Sequence, residues 1–156
     1  MNKPRMTKPL VIFYSRSGNT KKVGELIAQK LNCDIEEIID NKDRKSVLGI
    51  IGTTINPKAP TTIKDMTDPK DSLVIIGTPI WWFTQAPAVK SYLEKYKPKK
   101  VAFYFTTNVD KKITAFEDME KTCGLNPIAT LRIDKNDMKD LENSGKINDF
   151  VKSLCK

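Results

Sequence analysis

Between an apolar run, Leu10 to Tyr14, and a segment of helical periodicity stand six residues rich in donors, Ser15-Arg16-Ser17-Gly18-Asn19-Thr20. A turn of this kind at the start of a helix offers unpaired backbone N–H groups, hydroxyl donors and the positive end of the helix dipole. Gly18 lets the backbone come close to a ligand, and Arg16 adds charge. These are the requirements of a phosphate site. Neither G-x-x-x-x-G-K-[ST] nor G-x-G-x-x-G occurs, which disfavours a triphosphate loop and a dinucleotide turn and leaves a single monophosphate as the better fit. The same residue types also serve as plain helix caps, and this turn by itself does not separate the two readings.

A second unusual stretch, Trp81-Trp82-Phe83, follows the most continuous apolar run of the chain, Leu73 to Gly77. Three consecutive aromatic side chains cannot all enter one core, so at least one is expected at a rim, where a flat ligand would cover it. Packing beneath the next helix, or an aromatic patch between two copies of the chain, would account for the same residues.

The elements that must position these loops are legible from periodicity. Leu10 to Tyr14 is β-branched and aromatic, the pattern of a strand buried on both faces. Val23, Leu26, Ile27 and Leu31 then recur at steps of three and four, predicting a helix from near Lys21. Asp34 to Asp40 predicts a second, more polar strand near a sheet edge. Asn41 to Asp71 reads as a long crossover, with a helical turn or two over Ser46 to Gly52 and breaks at Pro57, Pro60 and Pro69. Leu73 to Gly77 is the third strand, and Pro87 opens a helix striped by Val89, Tyr92, Leu93 and Tyr96. Val101 to Phe105 is the fourth strand, followed by a loop from Thr106 to Asp110. Thr114 and Glu117 have the spacing of a capping box, before a helix that Gly124 closes. Ile128 to Ile133 is the fifth strand, and Ile147, Phe150, Val151 and Leu154 stripe a last helix.

Alternating strands and helices imply a doubly wound α/β domain, a five-stranded parallel sheet of order 2-1-3-4-5 with helices on both faces. Residues 1–156 are expected to form this single domain, with 1–8 as a mobile basic tail. In such a sheet ligands bind beyond the carboxyl ends of the strands, where the winding reverses, between strands one and three. The two unusual loops follow those two strands.

Composition narrows the function classes. With 39% hydrophobic and 29% charged residues, and no apolar run of membrane-spanning length, a soluble protein with no membrane partner is expected. Histidine is absent, and Cys33, Cys123 and Cys155 form no C-x-x-C pair, so neither a metal site nor a Cys/His nucleophile is implied. A reducing cytoplasm is the natural setting. The net charge of +8 is spread over helices, tails and turns rather than gathered in one tract, which argues against specific nucleic-acid binding and leaves an acidic partner or an anionic cofactor.

The turn Ser15 to Thr20 resembles the flavodoxin phosphate loop, [ST]-x-[ST]-G-x-T, and Gly77-Thr78-Pro79-Ile80-Trp81-Trp82 resembles the ring-binding loop after strand three in short flavodoxin-like proteins. The similarity runs from about Leu10 to Ile133. It implies a flavodoxin-like fold with FMN as cofactor, the phosphate held by Ser15, Arg16, Ser17, Gly18, Asn19 and Thr20. It further implies a ring lined by Pro79, Ile80, Trp81, Trp82 and Phe83, with Trp81 as the flanking aromatic. Thr106, Thr107 and Asn108 occupy the position of the family's third flavin loop, at the pyrimidine edge. Two features depart from the pattern: no glycine stands between Pro79 and Gln85 to let a peptide turn toward the reduced ring, and the chain is basic where electron-carrying flavodoxins are usually acidic.

The function this implies is electron transfer by bound FMN between a protein donor and a protein acceptor, with acidic docking faces, by a monomer or a homodimer. No side chain need act as acid or base, since the flavin carries the redox chemistry. An NAD(P)H- or quinone-dependent FMN reductase of the same fold is the enzyme alternative. A binding module that keeps the fold without FMN is the third.

Overall fold

The computed structural model describes residues 7–41 and 61–156. The expected tail, apart from its last two residues, and the expected helical turns over Ser46 to Gly52 lie outside them. Five strands run parallel: β1 (Leu10–Phe13), β2 (Asp34–Glu37), β3 (Leu73–Trp81), β5 (Lys100–Thr107) and β6 (Thr130–Asp134). A two-residue strand, β4 (Thr84–Gln85), folds back antiparallel on the end of β3. The parallel order is β2-β1-β3-β5-β6, which is the expected 2-1-3-4-5 once the small β4 is counted. The second strand is the edge strand, as its polar sequence predicts, and no residue of it is buried.

The helices are α1 (Asn19–Leu31), α2 (Pro87–Tyr96), α3 (Ala115–Cys123) and α4 (Gly145–Leu154). Side chains alternate across each strand, so neighbouring residues serve opposite faces. Ile12, Ile76 and Phe103 pack with Val89, Leu93 and Met119 of α2 and α3. Val11, Ile75 and Ala102 pack with Val23 and Ile27 of α1 and with Ile147 and Phe150 of α4. Both faces of the sheet are therefore covered, which is why its central strands are continuous apolar runs.

Two features differ from the sequence reading. β3 and β5 run past their apolar stretches, because the pairs Thr78–Phe105 and Pro79–Thr106 continue the ladder; Thr106 and Thr107 thus end a strand rather than open a loop. The Thr114–Glu117 capping box does not form: the Thr114 hydroxyl donates to Asp118 at 2.9 Å, so no side chain caps α3. Gly124 does close that helix, at φ 70°.

One aromatic contact fixes α1 on the sheet. Tyr104, fully buried, pairs in register with Gly77, and a Cβ at Gly77 would lie 1.9 Å from the Tyr104 ring. At Gly24 of α1 a Cβ would lie 2.5 Å from the phenol oxygen. Two glycines leave the space that this ring fills. Its hydroxyl donates to the Thr20 carbonyl at 3.0 Å, and burial pushes the phenol far above its usual titration range, so it remains a neutral donor.

Candidate functional site

The turn after β1 is shaped by its own side chains. Ser15 is nearly sealed from solvent, and its Oγ accepts the Gly18 N–H at 3.1 Å. Gly18 has φ 98°, a left-handed conformation that glycine adopts without strain, and serves as the N-cap of α1. The helix begins at Asn19, two residues earlier than periodicity indicates, with no capping side chain and no acidic residue in its first turn. Its opening N–H groups therefore lack an intrahelical partner, and no carboxylate competes for the positive end of the dipole. This removes the plain-cap reading: the hydroxyls of the turn do not cap the helix.

The aromatic stretch forms a tight hairpin. Trp81 pairs with Thr84, leaving Trp82 and Phe83 as a two-residue loop with φ 52° and 68°. Two consecutive positive φ values are the signature of a type I′ turn, which normally takes Asn-Gly. Large aromatic residues are strained there, by about 1–2 kcal/mol each. Such strain persists only where neighbours over-determine the geometry, and here they do. The Thr114 N–H donates to the Phe83 carbonyl at 2.9 Å, and the hydroxyls of Thr84 and Thr114 both donate to Oδ2 of Asp118. Asp118→Ala is expected to lower stability by about 1–2 kcal/mol, since two hydroxyls lose their acceptor, with a smaller loss for Asp118→Asn. Urea titrations of both variants would check this; equal stability of Asp118→Ala and parent would contradict the clamp.

Alternation along β3 separates the two tryptophans. Trp81 is 6% exposed, its ring beneath the Arg16 guanidinium at 5.2 Å, and its indole N–H is buried without an acceptor among the described residues. Trp82 and Phe83 are 56% and 43% exposed, so the rim aromatics that the sequence requires are these two. Trp81, the ring expected to flank the flavin, lines the same cleft with far less of its surface exposed.

The third segment is pinned by its own hydroxyl and by β6. Thr107 Oγ1 accepts the Val109 N–H at 3.1 Å, and Arg132 donates to the Val109 carbonyl at 3.1 Å while lying over the Phe105 ring. Thr106 turns its hydroxyl inward to that of Thr20, 2.7 Å away.

These three segments enclose a cleft of about 730 Å³ at the carboxyl ends of β1, β3 and β5. Arg16, Ser17 and Asn19 line one part, Pro79 to Phe83 another, and Thr106, Thr107 and Asn108 a third. Ser15, Gly18 and Thr20 are not on its wall; they shape the turn from behind. Val109 and Met138 complete the lining and were missed from sequence. Met138 arrives on a short 3-10 turn, Asp137–Asp140. There Asp134 Oδ1 accepts the N–H groups of Asp137 and Asn136, and Asp137 accepts the Asp134 N–H and the Lys146 ammonium. The Asp137 N–H bond is the main reason the Asp134 carboxyl is held below its usual range. Paired aspartates three apart were the available signal for this turn.

Among the described residues that line the cleft, Arg16 is the sole ionisable side chain. A second cavity, of about 530 Å³, lies at the opposite end of the sheet, between Leu93, Lys97, Cys123 and Leu125, and contains none of the predicted residues. Burial pushes the Cys123 and Cys33 thiols up, away from reactivity. Among the described residues no group of acidic, cysteine or histidine side chains could hold a metal ion, and no helix is long and apolar enough to cross a membrane.

Comparison with known proteins agrees with this fold. A family model described as flavodoxin matches residues 8–135. A flavoprotein from Lactobacillus acidophilus NCFM, solved in complex with FMN, superposes with a TM-score of 0.62 at 21% identity, over 87% of this chain and 99% of its own. A flavodoxin from the domain Archaea gives 0.54 at 15% identity over 96% and 100%. An NADH:FMN oxidoreductase in its apo form gives 0.56 at 13% identity over 95% and 87%. At these identities the likeness is one of fold. No curated protein matches the sequence significantly.

Proposed function

The chain belongs to the flavodoxin family, and from that premise we propose that it binds FMN in this cleft and passes electrons between protein partners. The observation that carries the proposal is the pairing, in one cleft, of an uncapped helix start without acidic neighbours and two exposed aromatic rings. The residues fit the group. The opening amides of α1, with Arg16, Ser17 and Asn19, would hold the phosphate; Trp82 and Phe83 would cover the ring; the buried Trp81 N–H is a donor still in need of an acceptor. FMN, when bound, supplies the electron-accepting chemistry.

The protein's own contribution is placement and potential. With no carboxylate among the described residues of the cleft wall and a net charge of +8, an added negative charge in the cleft is favoured, which raises the reduction potential relative to an acidic homologue. The same charge favours partners with acidic docking faces, whose association weakens as salt rises. Three unpaired cysteines, one of them exposed, accord with a reducing cytoplasm.

The carrier role is tested by mixing FMN-loaded protein with NADH or NADPH under anaerobic conditions. The flavin absorbance should persist for many minutes, then fall on addition of a reduced acidic redox protein. Bleaching within seconds by either nucleotide would reassign the protein as a reductase.

A further inference from the structure

Both residues of the small strand β4 are bonded to α3 through their side chains. The Thr84 hydroxyl donates to Asp118 Oδ2, and the Gln85 amide donates to the Thr122 hydroxyl at 3.0 Å. The directions of these bonds follow from the groups themselves. A carboxylate can only accept, and the one Thr122 hydroxyl proton is already given to the Asp118 carbonyl at 2.7 Å, so Thr122 accepts from Gln85. Asp118 stands at the centre of both links, its carboxylate holding Thr84 and its carbonyl holding Thr122. The same Oδ2 accepts the Thr114 hydroxyl, while Thr114 gives its N–H to the Phe83 carbonyl.

The segment held in this way has the least reason to keep its shape unaided. Between Trp81 and Thr84 the chain turns through Trp82 and Phe83 at positive φ, and a two-residue loop with neither Asn nor Gly does not favour that conformation locally. Both rings are also well exposed on the cleft wall, so their own packing supplies little restraint. The restraint comes from α3, and Asp118 is its common point, although Asp118 is not itself among the residues that line the cleft.

We propose that Asp118 is a positioning residue for the flat ring of the ligand. By holding Thr84, next to the aromatic pair in sequence, and Thr114, bonded to Phe83, its carboxylate keeps Trp82 and Phe83 in the strained turn that presents them to the cleft. This rests on the FMN reading of the cleft. It makes ring recognition depend on a side chain of α3, and leaves the phosphate end, at the start of α1, independent of it.

The test compares FMN with riboflavin, which lacks the phosphate, on the parent protein, on Asp118→Ala and Asp118→Asn, and on Asp118→Ala combined with Trp82→Asn and Phe83→Gly. Asp118→Ala should weaken FMN and riboflavin by the same factor, about five- to tenfold, as two hydroxyls lose their acceptor and the turn relaxes. Asp118→Asn, which keeps a neutral acceptor, should recover roughly half of that loss on a logarithmic scale. In the Asn-Gly background Asp118→Ala should change FMN affinity by less than about twofold, because that turn forms unaided and carries no ring. Weakening of FMN alone would overturn the proposal, as would parental affinity for both flavins, or the full loss persisting in the Asn-Gly background. If Asp118→Ala fails to fold, Thr84→Val decides: both flavins weakened equally, about threefold, uphold the proposal, and parental affinity or a loss confined to FMN overturns it. Failure of the parent to bind FMN at all would instead overturn the reading on which the proposal rests.

Discussion

Gly77→Ala is expected to lower the melting temperature by about 6–12 °C, although it adds a single methyl group. That methyl would sit 1.9 Å from Cζ and 2.2 Å from Oη of Tyr104. The ring cannot withdraw, because Tyr104 is the register partner of Gly77 and lies against Gly24 of α1 on its other side. Relief requires the ring to tilt or α1 to lift, and either movement breaks the bond from Tyr104 to the Thr20 carbonyl. Overpacking of this kind and the lost hydrogen bond together amount to about 3 kcal/mol. A cycle with Tyr104→Ala checks the cause: with the ring gone, the added methyl has nothing to strike, so the two losses should be far from additive. Additive losses would mean that Gly77 matters for its backbone rather than for the space above it. Since the same ring positions the phosphate turn, FMN affinity should fall alongside stability.

Exchanging Trp82 and Phe83 for asparagine and glycine should move stability and binding in opposite directions. Asn-Gly is the preferred pair for a type I′ turn, so the left-handed strain of the two aromatic residues, about 1–2 kcal/mol each, is relieved. The flexibility of the new glycine in the unfolded chain offsets about 0.5–1 kcal/mol of that gain. The cofactor-free protein should therefore melt a few degrees higher. Removal of two exposed rings from the cleft should at the same time weaken FMN at least about tenfold, as stacking on one aromatic ring is worth roughly 1–3 kcal/mol. Melting curves without cofactor and FMN titrations of the same preparations provide both values. A variant that loses stability as well as affinity would show that the aromatic pair packs the fold, and that its strained turn is not kept for binding.

Much of this architecture could be read from short-range patterns. Each principal strand is a β-branched run, and each described helix carries a stripe of three- and four-residue steps, so the sheet order followed from the alternation and the long crossover. The turn Ser15 to Thr20 was legible because its chemistry is local. What escaped depends on partners distant in sequence. Thr106 belongs to β5 because Pro79 faces it across the ladder, a fact that its own neighbours do not encode. Which tryptophan faces inward is set by the hairpin at Thr84, which leaves Trp81 nearly buried and Trp82 exposed. The Thr114–Glu117 box lost to Asp118, one position further on, where the carboxylate also receives Thr84 from the hairpin. Met138 reached the cleft through the Asp134–Asp137 turn, a polar signal that apolar periodicity passes over.

Both tryptophans of the chain, Trp81 and Trp82, line the cleft, so tryptophan fluorescence, excited selectively over the four tyrosines, reports on this site. Titrating the cofactor-free protein with FMN while following that emission tests the central claim most directly. The fluorescence should be quenched to a plateau at one FMN per chain, with the melting temperature rising as ligand is added, by mass action. Emission that stays constant, together with a melting temperature unmoved by excess FMN, would contradict it.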